Sequence, residues 1–172
     1  MHKLACPKCH QPLILDGKTY KCQNNHCYDI AKSQYINLLL NPDKSTNNPG
    51  DNKESLMCRK NYLNQGYYDV ILNEVVNYIK AHRHPQMQIL DLGCGEGYYT
   101  YRMQQELNDD SIIYGLDISK DGIQMASKYT KDIYWMVGNS KNIPLVDHSL
   151  DVITALFTVV KDSEIKRCLK ED

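Results

Sequence analysis

Residues 89–97 read Ile-Leu-Asp-Leu-Gly-Cys-Gly-Glu-Gly. An apolar run closed by an acid, then glycines at 93, 95 and 97, describes a strand that turns tightly and leaves as a helix. The following chain repeats that alternation. GYYTYRMQQEL has helical spacing, IIYGLDIS reads as a second strand, DGIQMASKYT as a second helix, IYWMVG as a third strand and DVITALFTVV as a fourth. Strands separated by helices pair in parallel and need helical crossovers. The expected fold class is therefore α/β, a Rossmann-like parallel sheet over residues 85–172.

The glycine loop also constrains the ligand. A dinucleotide loop has G-x-G-x-x-G spacing and holds a pyrophosphate. Here the spacing is G-x-G-x-G, Asp91 precedes the first glycine, and Glu96 sits inside the loop, where a phosphate would be repelled. A cofactor with a sulfonium cation and no phosphate tolerates those acids, which points to S-adenosyl-L-methionine. About twenty residues on, Asp117 ends the second strand in GLDIS, the position from which an acid accepts ribose hydroxyls. Asn139, after the third strand, is placed to meet an adenine edge, although a plain loop-forming role serves equally well there. The expected cofactor contacts are thus Asp91, Gly93, Gly95, Glu96, Gly97, Asp117 and Asn139. Cys94, inside the loop, is expected to pack as a small residue.

A second constellation lies at the N-terminus. Cys6-Pro7-Lys8-Cys9, then Cys22 and His26, gives C-x2-C-x12-C-x3-H. Two close pairs joined by a loop are what tetrahedral zinc requires, and four protein ligands leave no open position, so such a metal is structural. The Asp16-Gly17 turn between the pairs fits the returning chain. Cys27, next to His26, is an equally soft candidate for the fourth corner, and ligand chemistry alone does not choose. Too short to bury a core of its own, this module depends on its metal.

Composition enters as a set of exclusions. Seven cysteines, an odd number with four in the first 27 residues, suit metal binding better than a disulfide framework. No apolar run reaches membrane-spanning length and no apolar signal core opens the chain, so the expected address is the cytoplasm, with no membrane partner. Residues 1–60 carry nine Lys/Arg against five Asp/Glu, while the net charge of the whole chain is −1. A mildly basic front is compatible with a polyanion. The expected organisation is a zinc-binding module over 1–35, a linker over 36–52 (Pro-, Asn- and Gly-rich from 41), a helical connector over 53–84 and the parallel sheet over 85–172. Apolar residues Leu56, Leu63, Val70, Ile71, Val75, Val76 and Ile79 set the connector's period, with Gly66 as a break.

The segments CPKCHQPL, Tyr-Lys-Cys with His26, AKSQYINLL, NPGD, YLNQGYY, LDLGCGEGYYT and GLDISK, in that order from residue 6 to about 157, resemble the bacterial 23S rRNA guanine-N(1) methyltransferases. These pair a zinc finger with a class I, Rossmann-like methyltransferase domain. The resemblance implies zinc on Cys6, Cys9, Cys22 and His26, which selects His26 over Cys27. It implies cofactor contacts at Tyr68, Gly95 and Glu96, and a 23S rRNA hairpin as substrate. No residue emerges as the general base. Members of that family continue past the point where this sequence stops, at Cys168-Leu169-Lys170-Glu171-Asp172. The expectation is an incomplete, C-terminally truncated sheet with an open edge, little methyl transfer by the chain as given, and a homodimer as one way to cover the edge.

Overall fold

The computed structural model describes residues 2–41, 49–108 and 110–171. Three short strands come first: β1 (Ile14–Asp16), β2 (Thr19–Lys21) and β3 (Cys27–Asp29), an antiparallel sheet in the order β1-β2-β3. Gly17, at φ +63°, makes the turn between the first two.

The larger sheet has five parallel strands in the order β4-β7-β6-β5-β8. They are β4 (Tyr35–Asn37), β5 (Gln88–Leu92), β6 (Ile112–Asp117), β7 (Tyr134–Val137) and β8 (Val152–Thr154). The helices are α1 (Lys53–Leu63), α2 (Asp69–Ala81), α3 (Tyr98–Leu107), α4 (Lys120–Ala126) and α5 (Asp162–Cys168). Asn52 caps α1, accepting from the Ser55 amide at 2.9 Å, and Ser119 caps α4 through the Gly122 amide at 3.1 Å. Gly66, at φ +79°, lies in the turn between α1 and α2.

Parallel strands are apolar on both sides because both faces are covered. One face carries Ile89, Ile113, Trp135 and Val137 against Leu72, Val76 and Ile79 of α2, Met103 and Leu107 of α3, and Ile123 of α4. The alternate residues Leu90, Leu92, Tyr114, Leu116 and Met136 face the other way. There they meet Leu4, Cys6, Leu13, Tyr20 and Cys22 of the N-terminal module. The zinc-type module is thus a covering layer of the sheet, not a bead on a string. Backbone bonds stitch the two together: the Ala5 amide to the Pro144 carbonyl and the Val146 amide to the Lys3 carbonyl, both at 2.9 Å.

Two expectations are corrected. Residues 36–40 are not linker. Tyr35–Asn37 pairs in register with Trp135–Val137, and Ile36 and Leu38 are buried, because a short apolar patch gains more as a strand than in water. Residues 42–48 of the expected linker lie outside the described residues. The fourth strand is also far shorter than DVITALFTVV. It ends at Thr154, and Phe157, at φ +59°, turns the chain out of the sheet.

Strand order reverses at β5: β6 and β7 lie to one side of it and β8 to the other. Ligands of open α/β sheets bind at the carboxyl ends of the strands beside such a reversal.

Candidate cofactor cleft and metal centre

The loop leaving β5 is fixed by β6. The amides of Gly93 and Cys94 both donate to the Leu116 carbonyl, at 2.8 and 3.1 Å, and the Gly95 amide donates to Asp117 Oδ2 at 2.8 Å. The Ser119 amide takes Asp117 Oδ1 at 2.7 Å. Asp117 therefore ties the glycine loop to the start of α4. Gly97, at φ +88°, opens α3, and a Cβ there would stand 2.7 Å from Ala126 Cβ and 2.9 Å from the Trp135 ring. Glycine is required at this position by conformation and by space alike.

Two cavities flank the loop and meet at Gly93. The larger, about 310 Å³, is lined by Gly95, Glu96, Tyr68, Arg59, Tyr99 and Phe157 among others. The smaller, about 90 Å³, lies over Asp117, Ile118, Asn139 and Ser140. Thr158 overhangs the junction, its side chain 2.5 Å from where a Cβ on Gly93 would lie.

The named residues divide accordingly. Tyr68, Gly93, Gly95 and Glu96 line the larger cavity, and Gly93, Asp117 and Asn139 the smaller. Gly97 and Asp91 are not among the lining residues of either. Asp91 lies beneath the loop, where its carboxylate accepts from Thr100 Oγ1 at 2.5 Å and Thr154 Oγ1 at 3.0 Å. Burial pushes the carboxyls of Asp91, Glu96 and Asp117 above their ordinary values. Hydroxyl donors pull Asp91 and Glu96 back, and backbone amides pull Asp117 back. Two acids beside one glycine loop, Glu96 buried and Asp117 half-buried, make a site that favours a cation. Burial, with Asp117 and Asp91 nearby, also drives the Cys94 thiol well up, so it stays a neutral packing group.

Sequence reasoning missed Arg59, Tyr62, Tyr99 and Phe157. Arg59 pairs with Asp51 at 2.7 Å and leans over Gly95. Its signal was the helical spacing from Leu56 to Leu63, which sets Arg59 at the exposed edge of the face that those two leucines bury.

In the N-terminal module, one ligand atom each from Cys6, Cys9, Cys22 and His26 lies within 4.8 Å of the others. His26 Nδ1 is 3.4 Å from Cys6 Sγ, 3.6 Å from Cys9 Sγ and 3.4 Å from Cys22 Sγ, and the Cys9 and Cys22 sulfurs are 3.7 Å apart. Those are tetrahedral edges for zinc bonds of about 2.0–2.3 Å, so the donor set fits the metal. Each knuckle closes on a left-handed residue, His10 at φ +57° and Asn25 at +61°. The Tyr28 hydroxyl lies 3.2 Å from Cys6 Sγ, an outer-shell partner. Cys27 is exposed, its thiol directed at the Asn25 carbonyl at 3.5 Å. Cys27→Ala is accordingly expected to retain one zinc per chain by metal analysis, and His26→Ala to lose it; the reverse pattern would move the fourth ligand to Cys27.

Residues 4–46 match the family described as RlmA, N-terminal, a zinc ribbon, and residues 89–171 match the methyltransferase domain family. The chain joins a segment matched by the RlmA zinc-ribbon family to a domain of the class I methyltransferase fold. The chain is 30% identical over 97% of its length to the Bacillus subtilis (strain 168) protein YxjB, whose name places it with the 23S rRNA (guanine-N(1)-)-methyltransferases. It is 26% identical, again over 97%, to the 23S rRNA (guanine(748)-N(1))-methyltransferase of Streptomyces fradiae. It spans 60% and 59% of the lengths of those two relatives. The demethylmenaquinone methyltransferase of Thermotoga maritima is 34% identical over 49% of this chain and 36% of its own length. Among solved structures, the TehB-like S-adenosylmethionine-dependent methyltransferase of Corynebacterium glutamicum superposes with a TM-score of 0.54 at 20% identity, over 68% of this chain and 66% of that one. That likeness concerns the fold. Among the described residues no helix is long and apolar enough to cross a membrane.

Proposed function

We propose that this chain binds S-adenosyl-L-methionine across the two cavities and serves methylation of a guanine N1 in 23S rRNA, within a hairpin. One observation carries the reading: an RlmA-type ribbon shares its apolar core with the sheet whose glycine loop is flanked by Glu96 and Asp117. When bound, the cofactor supplies an electrophilic methyl carbon on a sulfonium. The chain's own part is alignment, because in-line transfer depends on holding donor and acceptor in register. In this reading Asp117 takes the ribose, Asn139 the adenine edge, and Glu96, with Tyr68 above it, the cationic end. We further read Asp91 as a support for the loop, acting through Thr100 and Thr154 rather than by contact. The base's N1 proton must leave as the new N–C bond forms, and the target must be unpaired, because N1 lies on its pairing edge.

A second reading, methylation of a small quinone-like molecule, draws on the demethylmenaquinone relatives. Their similarity covers about half of this chain, whereas the rRNA enzymes' similarity runs through the ribbon as well.

Titration calorimetry with S-adenosylmethionine and with NAD separates the cofactor classes: heat is expected with the first and none with the second. Tighter binding of NAD would overturn the cofactor assignment. Tritium transferred to unmodified 23S rRNA, however slowly, is expected in N1-methylguanosine on nucleoside analysis. Label appearing in a quinone acceptor and not in RNA would favour the second reading.

A further inference from the structure

Phe157 is the chain's single phenylalanine, and it is 77% exposed. It sits at φ +59°, a conformation that a bulky side chain rarely adopts and that concentrates at functional positions. Its ring does not float free. It meets the Tyr68 ring edge-to-face at 5.9 Å, and Tyr68 meets Tyr62 at 5.9 Å. Tyr62, on α1, is 49% exposed. All three rings line the larger cavity, whose floor is the glycine loop.

In a perpendicular pair one ring offers only its edge, so both of its faces stay uncovered by the other. A mouth of half-open aromatic faces directly above a cofactor loop is suited to a flat, unsaturated ring entering from solvent. Every nucleobase has such a face, and stacking on aromatic side chains is how single-stranded bases are commonly held. Arg59 lines the same cavity from α1, its guanidinium paired with Asp51 at 2.7 Å. An extended peptide or a membrane surface would need a longer apolar track than three rings around a cavity of about 310 Å³.

We propose that Phe157 and Tyr62 grip the extruded target guanine by its faces, with Tyr68 between them as the wall shared by base and cofactor. Phe157 is then a substrate-binding residue, and its unfavourable backbone conformation aims the ring across the mouth. The proposal rests on the rRNA reading above and assigns its base pocket.

The probe is an RNA hairpin carrying 6-thioguanosine in its loop, irradiated with the full chain and S-adenosylhomocysteine, with crosslinked peptides mapped by mass spectrometry. Crosslinks are expected on residues 156–158 or on Tyr62. Phe157→Ala is expected to lower their yield at least tenfold with S-adenosylhomocysteine held at saturation, and Phe157→Trp to restore the yield. Because Phe157 is exposed, the alanine variant should melt with the parent. RNA binding with crosslinks confined to the ribbon, or an undiminished yield in the alanine variant, overturns the base pocket and leaves the rRNA reading intact. Failure of the parent chain to bind the hairpin overturns both.

Discussion

Removal of the metal, by chelation or by Cys22→Ser, is expected to unfold the parallel sheet along with the ribbon. The reason is shared burial. Leu4, Leu13 and Tyr20 are 1%, 3% and 4% exposed, and they share one apolar cluster with Leu90, Leu92, Tyr114 and Met136 of the parallel sheet. Polar contacts cross the same seam. The Lys3 amide donates to the Tyr114 hydroxyl at 2.8 Å, that hydroxyl donates to Gln88 Oε1 at 2.8 Å, and Asn142 Nδ2 reaches the Pro7 carbonyl at 3.0 Å. Structural zinc contributes about 10–16 kcal/mol in isolated finger peptides, while whole domains are stable by only about 5–15 kcal/mol. Even a loss of about 4 kcal/mol would lower the melting temperature by roughly 8–16 °C in a chain of this size. The single tryptophan, Trp135, is buried in β7 and reports on the sheet alone. Its fluorescence should therefore shift with the metal. Two separate transitions, with Trp135 melting at the parent temperature after chelation, would show that the ribbon is energetically independent.

Asp117→Ala is expected to weaken S-adenosylmethionine binding by about 100-fold. The substitution removes the acid at the ribose position and also strands two donors, the Gly95 and Ser119 amides, which now share its carboxylate. Hydrogen bonds to a charged group are worth about 1.5–3 kcal/mol each, and about 1.4 kcal/mol is a factor of ten in affinity. Loss of loop order alone thus accounts for roughly that effect. Calorimetry gives the affinity, and Trp135 fluorescence checks that the sheet persists. An unchanged dissociation constant would place the ribose elsewhere. A pH dependence follows with a definite sign. Burial raises the Asp117 pKa above its ordinary 3.8, against the pull of the two amides. Ribose hydroxyls, like the two amides, donate to the ionised acid, so affinity should be full at neutral pH and fall as pH drops through that raised value.

Much of this arrangement was legible in the sequence because the loop is local. Glycines 93, 95 and 97, the acid at the end of the second strand and the paired metal ligands each declare themselves within a few residues. What was not legible depends on distant partners. Residues 35–37 look like any brief apolar patch until Trp135 lies beside Tyr35. Asp91 reads as a ligand-facing acid by position. Only the folded chain shows that Thr154, from a strand more than sixty residues later, and Thr100 already occupy its oxygens. Phe157 gave no signal beyond being the single phenylalanine, since its conformation is set by where β8 ends.

The pairing of β4 with β7 has a consequence for biosynthesis. Tyr35 and its neighbour Trp135 are a hundred positions apart, and a ribosome adds about 5–20 residues per second. For roughly 5–20 s, then, the nascent ribbon has emerged while the sheet it must cover has not. Zinc can close the knuckles during that interval, but Leu4, Leu13 and Tyr20 stay bare until residues 90–145 arrive. Over that interval the growing polypeptide exposes apolar surface of the kind chaperones bind, and a shortage of zinc would be felt at the polysome before any finished molecule exists.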